Sequence, residues 1–263
     1  MIVATNVDLL SLVKKGEVIE LAWPLRPDMP FLNNRIYNLT TKRTAANQGS
    51  NRRGGNEEMV VGDIGQIGTQ FDGFSHQMID DKVYNCRKVD DIATRNGFTA
   101  FGMEKVGTLI TRGVLIDVAA LKGVAVLPDS YPITVEDLQE ALKRQNLTLR
   151  PGDAPIINTG WWTNWTKDPA KFVRVNPGLT TAASEWLARQ DPMLVGMDVA
   201  PISVTPDPDP KLNNPSHQIF LVVNGIHLLE NLKLDQLLAS GAQEFALVLQ
   251  PIKLTGATGS TVA

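Results

Sequence analysis

Residues 66–76 read QIGTQFDGFSH and bring two amides, a carboxylate and an imidazole (Gln66, Gln70, Asp72 and His76) close together in the chain. The protein has only three histidines, and the other two, His217 and His227, lie in SHQIFLVVNGIHLLENL (216–232). Glycines at 65, 68 and 73 disfavour a helix over the first segment. With a period of two, Gln66, Gly68, Gln70 and Asp72 share one face, and Ile67, Thr69 and Phe71 the other. The segment is therefore expected to be a strand with a polar face that runs into a turn. Oxygen and nitrogen atoms converging from one face suit a metal ion or a polar substrate. A half-exposed strand that simply meets water would show the same pattern. On a flat strand Gln66 and Gln70 stand roughly 13 Å apart, and the glycines allow a bulge that would bring them closer.

In the second segment, Asn224-Gly225 separates two apolar runs, the signal for a type I′ hairpin. A two-residue loop would pair 223 with 226, setting Glu230 opposite Ile219 and His217 opposite Leu232. His217 and Glu230 would then be diagonal neighbours on one face, about 7–8 Å apart at the backbone. Side chains at that distance can hold one small ion between them, and a buried structural His–Glu hydrogen bond is the alternative. His227 falls on the opposite face and reads as structural.

The elements that must position these groups are short. Strands are expected over EVIEL (17–21), RGVLIDVA (112–119), APIINTG (154–160), MLVGMD (193–198) and EFALVLQPIKL (244–254). Several are continuous apolar runs, as strands buried on both faces are. Helices are expected from Thr134, which precedes acids in the first turn and apolar Val135, Leu138 and Leu142, and over TTAASEWLARQ (180–190). Strands alternating with helices indicate an α/β class. Residues 39–57, LTTKRTAANQGSNRRGGNE, read as a long polar loop, either a lid, an arm reaching a neighbouring subunit or plain surface. TPDPDPKLNNP (205–215) reads as a rigid connection without regular structure. Phe31, Phe71, Phe74 and Trp161 are candidates for a flat apolar pocket, or for core.

The 263 residues suffice for one large domain, 1–263, and the net charge of −3 offers no basic stripe for nucleic acid. The single cysteine, Cys86, excludes an internal disulfide and a cysteine-based zinc site. No apolar run reaches the length of a membrane span, and the N-terminus lacks the pattern of a signal peptide. A cytoplasmic protein with no membrane partner is expected.

QIGTQFDGFSH resembles the His-x-Gly-Thr-His-x-Asp-x-x-x-His signature of the putative cyclase family, which includes bacterial kynurenine formamidase and isatin hydrolase. RGVLIDVA, PIINTGW, NPGLTTAASEWL, VGMD, SHQIFLVVNGIHLLENL and PIKLTGATGS resemble family blocks in family order. The resemblance implies a swivelling β/β/α fold with a mixed sheet core and few helices, a homodimer or homotetramer, and a metal-dependent hydrolase of amide-type C–N bonds in small aryl formamides or cyclic amides. It implies Asp72, His217 and Glu230 as metal ligands and His76 as the acid/base. Gln66 and Gln70 stand where the family pattern has histidines. An amide oxygen is a harder and weaker ligand than imidazole, so with Gln70 in the set the expected divalent ion is manganese before zinc. A lyase or cyclase using the same site, and a member that only binds a small ligand, are the alternatives.

Overall fold

The apolar runs at 112–119, 154–160 and 193–198 become adjacent parallel strands at the centre of a seven-stranded mixed sheet. The computed structural model describes residues 9–262; the first eight residues, where the sequence leads one to expect an N-terminal arm at an oligomer interface, lie outside it. A long hairpin comes first, formed by β1 (Tyr37–Gln48) and β2 (Arg53–Gly62). The sheet strands follow: β3 (Gln70–Asp72), β4 (Leu109–Asp117), β5 (Ala154–Asn158), β6 (Leu194–Met197), β7 (His227–Glu230), β8 (Glu244–Leu249) and β9 (Gly259–Thr261). Their order across the sheet is β8-β4-β5-β6-β7-β3-β9. The four central strands β4 to β7 are parallel; β8 pairs antiparallel with β4 on one side, and on the other β3 pairs antiparallel with β7 and β9 antiparallel with β3.

Alternate residues of the central strands enter two separate cores, as strand geometry requires. Val114, Ile116, Ile157, Val195, Met197 and Leu228 face the helices. Leu115, Ile156, Leu194 and Leu229 face the opposite way, towards Phe71, Leu234, Leu237 and Leu247. The first core is covered by α1 (Val135–Arg144), through Leu138 and Leu142, and by α2 (Thr181–Ala188), through Ala183 and Leu187. Thr134 caps α1. Its hydroxyl accepts from Asp137 N at 3.3 Å, and Asp137 Oδ2 accepts from Thr134 N at 3.2 Å, a complete capping box.

Two expected elements differ. EVIEL (17–21) joins no strand ladder. It is held by single backbone bonds instead, such as Lys233 N to Leu21 O at 2.8 Å, so its β-branched composition did not bring a pairing partner. The segment 39–57 is not a loop, since it forms most of the β1–β2 hairpin. Both faces of that hairpin are largely exposed, so no apolar alternation announces it. Cross-strand chemistry does: Lys42 and Glu57 are register partners, 3.6 Å apart at their charged ends. Residues 206–214 contain no helix or strand, in keeping with the prolines.

Thr134→Ala is expected to destabilise the protein by about 1 kcal/mol, the usual cost of losing an N-cap. Thr134→Ser should retain most of that stability. Urea unfolding followed by circular dichroism measures both, with an unchanged denaturant slope.

Candidate metal centre

The site forms where the short strand β3 pairs with β7. Register partners are Gln70↔Glu230 and Asp72↔Leu228, so Gln70, Asp72, Leu228 and Glu230 share the helix-facing side of the sheet. Gln70 Nε2 donates to Glu230 Oε2 at 2.8 Å, while Gln70 Oε1 is buried without a partner. Asp72 is fully buried. Its Oδ1 accepts from Gln66 Nε2 at 3.1 Å, and its Oδ2 has no hydrogen-bond partner.

The expected strand over 66–72 is therefore confined to 70–72. Gln66 lies in a turn, its N–H donating to Asp63 O at 2.8 Å. Gly68 adopts φ +66°, and an added Cβ there would meet Leu25 Cδ2 at 2.5 Å. This left-handed residue ends the turn and lets the Gln66 side chain fold back towards Gln70, with Gln66 Oε1 3.4 Å from Gln70 Nε2.

The expected hairpin at 217–230 is a helix followed by a strand. Pro215–His217 begins the helix, and Gln218–Asn224 continues it as a π-helical turn. Asn-Gly serves here as a helix end. Gly225 alone is left-handed, at φ +65°, and its N–H donates to Phe220 O, whereas a type I′ turn needs two left-handed residues in succession. Pro215 at the first helical position was the readable start signal. Glu230 is thus paired with Gln70, not with Ile219. His217 comes to it across the helix–sheet packing instead.

The two still meet. His217 Nε2 lies 3.3 Å from Glu230 Oε1 and 3.5 Å from Asp72 Oδ2. His76 Nε2 lies 3.9 Å from the same Asp72 oxygen. One ligand atom each from Asp72, His76 and His217 falls within 4.8 Å of the others. Gln70, Asp72, His217, Glu230 and His76 thus converge, the first four buried and the His76 side chain 15% exposed. His227 faces away. Its Nδ1 is 2.9 Å from Asp72 O, and its ring stacks on Phe74 at 4.0 Å and packs on Phe71 at 4.5 Å. Phe71 and Trp161 are fully buried core, so of the four pocket candidates Phe31 and Phe74 retain some exposure.

Burial dominates the electrostatics. It pushes the Glu230 carboxyl up to about 7, against the pull of the His217 charge. Burial also works to raise Asp72, but the charges of His76 and His217 outweigh it and hold Asp72 below the usual carboxylate range. Burial alone would lower His217; Glu230 and Asp72 reverse this, and its pKa rises. His76 is pushed down by burial, only partly offset by Asp72. Burial drives His227 to about 4, so it is neutral and donates through Nδ1.

These residues fit a divalent cation. Asp72 Oδ2 and Gln70 Oε1 are buried oxygens without partners beside the imidazole of His217, and uncompensated buried oxygen is costly unless something positive meets it. Sequence patterns did not single out two further features. One is a chain of buried hydroxyls that anchors the His217 helix, with Ser203 Oγ to Ser216 Oγ at 2.7 Å and Ser184 Oγ to Ser216 Oγ at 2.8 Å. The other is Arg35, whose Nη1 donates to Gln66 O at 2.7 Å. Neither belongs to a local motif. Clefts of about 580 and 260 Å³ around α1 share no residue with the site.

The family model described as putative cyclase matches residues 19–203. The chain is similar to a crystal structure of a novel cyclase, at 28% identity and TM-score 0.86, covering 97% of this chain and 87% of that one. It is also similar to isatin hydrolase A from Ralstonia solanacearum, at 23% identity and TM-score 0.68, covering 98% and 96%. An isatin hydrolase bound to the product analogue thioisatinate matches at 18% identity and TM-score 0.65, covering 97% and 94%. The last two, at this identity, speak for the fold alone. No curated protein matches the chain.

The contribution of Glu230 to the stability of the metal-free protein should fall as pH rises. Glu230 titrates at about 7 folded against 4.5 unfolded, so its contribution is complete below 4.5 and is lost as pH passes through 7. His217, also raised, acts in the same direction, whereas His76 and His227, lowered by burial, add stability as pH rises and oppose it; Asp72, lowered, matters only in acid. Calorimetry of chelator-treated protein at about pH 5 and about pH 8 should therefore show the Tm of wild type falling relative to that of Glu230→Gln as pH rises. A difference between the two proteins that stays level or moves the other way contradicts this assignment.

Proposed function

The chain belongs to the putative cyclase family, and on that premise we propose that it is a metal-dependent hydrolase of a small carbonyl compound. The bond opened is an amide-type C–N bond or the ester bond of a lactone. The observation that carries this reading is the convergence of Asp72, His76 and His217 within 4.8 Å, beside Glu230. The structural similarity to a cyclase and to isatin hydrolases agrees with it.

Asp72, Glu230, Gln70 through its free Oε1, and His217 would hold the ion. Three oxygens and one nitrogen favour manganese over zinc. When bound, a divalent cation lowers the pKa of water and polarises a carbonyl group. The protein's own groups do the rest. His76, pushed down by burial, is neutral at pH 7 and offers Nε2 as a proton acceptor. Gln77 Nε2 lies 3.3 Å from that nitrogen. As the more exposed of the two imidazoles, His76 can pass the proton to a leaving nitrogen or oxygen.

Among the described residues no helix is long and apolar enough to cross a membrane; a cytoplasmic location is proposed from the sequence. A homodimer or homotetramer is supported by the β1–β2 hairpin, which carries Leu39, Met59, Val60 and Val61 exposed.

Elemental analysis of protein purified without chelator should find about one divalent ion per chain, manganese before zinc. A panel of aryl formamides, cyclic imides and lactones then locates a substrate. With it, His76→Ala should lower kcat by about 10²–10⁴, the usual worth of an acid/base, with metal content unchanged. Loss of the metal in that variant would make His76 a ligand, which its place in the cluster also permits. Binding of panel compounds without turnover would mark a ligand-binding protein.

A further inference from the structure

The helix that carries His217 starts with only three residues, Pro215–His217, and a run of hydroxyls ties that start to the rest of the molecule. Ser184, Ser203 and Ser216 are all fully buried. A hydroxyl has one proton to donate. That of Ser184 goes to Thr180 O at 3.1 Å, so in the 2.8 Å contact between Ser184 and Ser216 the donor is Ser216. Ser203 in turn donates to Ser216 Oγ at 2.7 Å and accepts from Ser216 N at 3.1 Å. The chain therefore runs one way, from Ser203 through Ser216 and Ser184 to Thr180, the N-cap of α2. The residue at its middle adjoins His217.

Its start is coupled to the second carboxylate. Ile202, next to Ser203, donates its N–H to Glu230 Oε1 at 3.1 Å. Asn176 Nδ2 donates to the carbonyls of Pro201 and Ser203, at 2.9 and 3.0 Å. One segment, 201–203, thus holds both Glu230 and the residue before His217. The imidazole depends on this. A ligating imidazole is ordinarily oriented by a hydrogen bond at its second ring nitrogen. His217 presents Nε2 to Glu230 and Asp72, at 3.3 and 3.5 Å, while its Nδ1 is buried without a partner among the described residues. The direction of the ring therefore follows from where its backbone is held.

We propose that Ser203, Ser216 and Ser184 are positioning residues that set the His217 imidazole against Asp72 and Glu230 and thereby govern how tightly the site holds a divalent cation. They touch no reacting atom, and their effect is on the ligand beside them. The proposal rests on the reading of the site as a metal centre, and one of its two measurements is made without metal.

Ser203→Ala and Ser184→Ala, made in the full chain, each remove one link and leave His217 and its neighbour in place. Asp168→Ala is the control: it removes the N-cap of Pro169–Arg174 and lowers stability outside the serine chain. Thermal denaturation confirms that each protein is folded. Competition with a chromophoric chelator should show Mn²⁺ bound roughly 10–100-fold more weakly by both serine variants, the usual effect of losing a group that orients a ligand, and with wild-type affinity by Asp168→Ala. In chelator-treated protein labelled at its three histidines, the His217 ring signal, assigned by its absence from His217→Asn, should shift or broaden in both serine variants and stay unmoved in the control. Wild-type Mn²⁺ affinity in the folded serine variants overturns the proposal, as does an equal loss in Asp168→Ala. If wild type takes up no divalent ion, the metal reading fails by itself. The His217 signal then decides: a moved signal sustains the positioning and an unmoved one overturns it.

Discussion

Two carboxylates, Asp72 and Glu230, are buried beside one imidazole, and the rest of the site follows from making that tolerable. An isolated charge in an apolar interior is strongly disfavoured. Each carboxylate therefore has dedicated donors: Gln66 Nε2 for Asp72, and Gln70 Nε2 and Ile202 N for Glu230. His217 lies between them with a raised pKa. Removing one member of such a buried set typically costs about 3–5 kcal/mol, because the partners are left charged and alone. A divalent ion would complete the compensation, binding at the oxygens left without partners.

The two glutamines act in two ways at once. Their amide nitrogens cap the carboxylates, and the oxygen of Gln70 remains free to face a cation. A histidine in either place would trade an amide for a stronger nitrogen ligand. The chain is thus suited to a hard, weakly held ion. His76 keeps some exposure, while Gln70, Asp72, His217 and Glu230 stay covered.

Rigidity comes from the scaffold. β3 is only three residues long and is held on both sides, by β7 and β9. Behind Asp72, His227 bonds the backbone carbonyl and is packed against Phe71 and Phe74. The His217 helix is tied down by the chain of buried serine hydroxyls. Ligand positions therefore rest on strands and buried hydrogen bonds, not on flexible loops.

Much of this was legible locally. The apolar runs of β4, β5, β6 and β8, and the capped helices α1 and α2, carry their signals within about ten residues, where side-chain period and capping chemistry act. The residue types in QIGTQFDGFSH, and the pairing of a histidine with a glutamate downstream, marked two polar groups, which the resemblance to the cyclase family joined into one cluster. Their paths to it did not show. Asn224-Gly225 supplies a left-handed residue equally to a hairpin and to a helix end, and only packing against the sheet selects the helix. The 39–57 segment hid a hairpin because neither face is buried, so no alternation marks it. Arg35 and the serine chain join residues far apart in sequence, and Gln70 meets Glu230 across 160 positions. Such contacts depend on which strands pair. That is decided by burying the whole sheet at once, so the tertiary structure alone determined them.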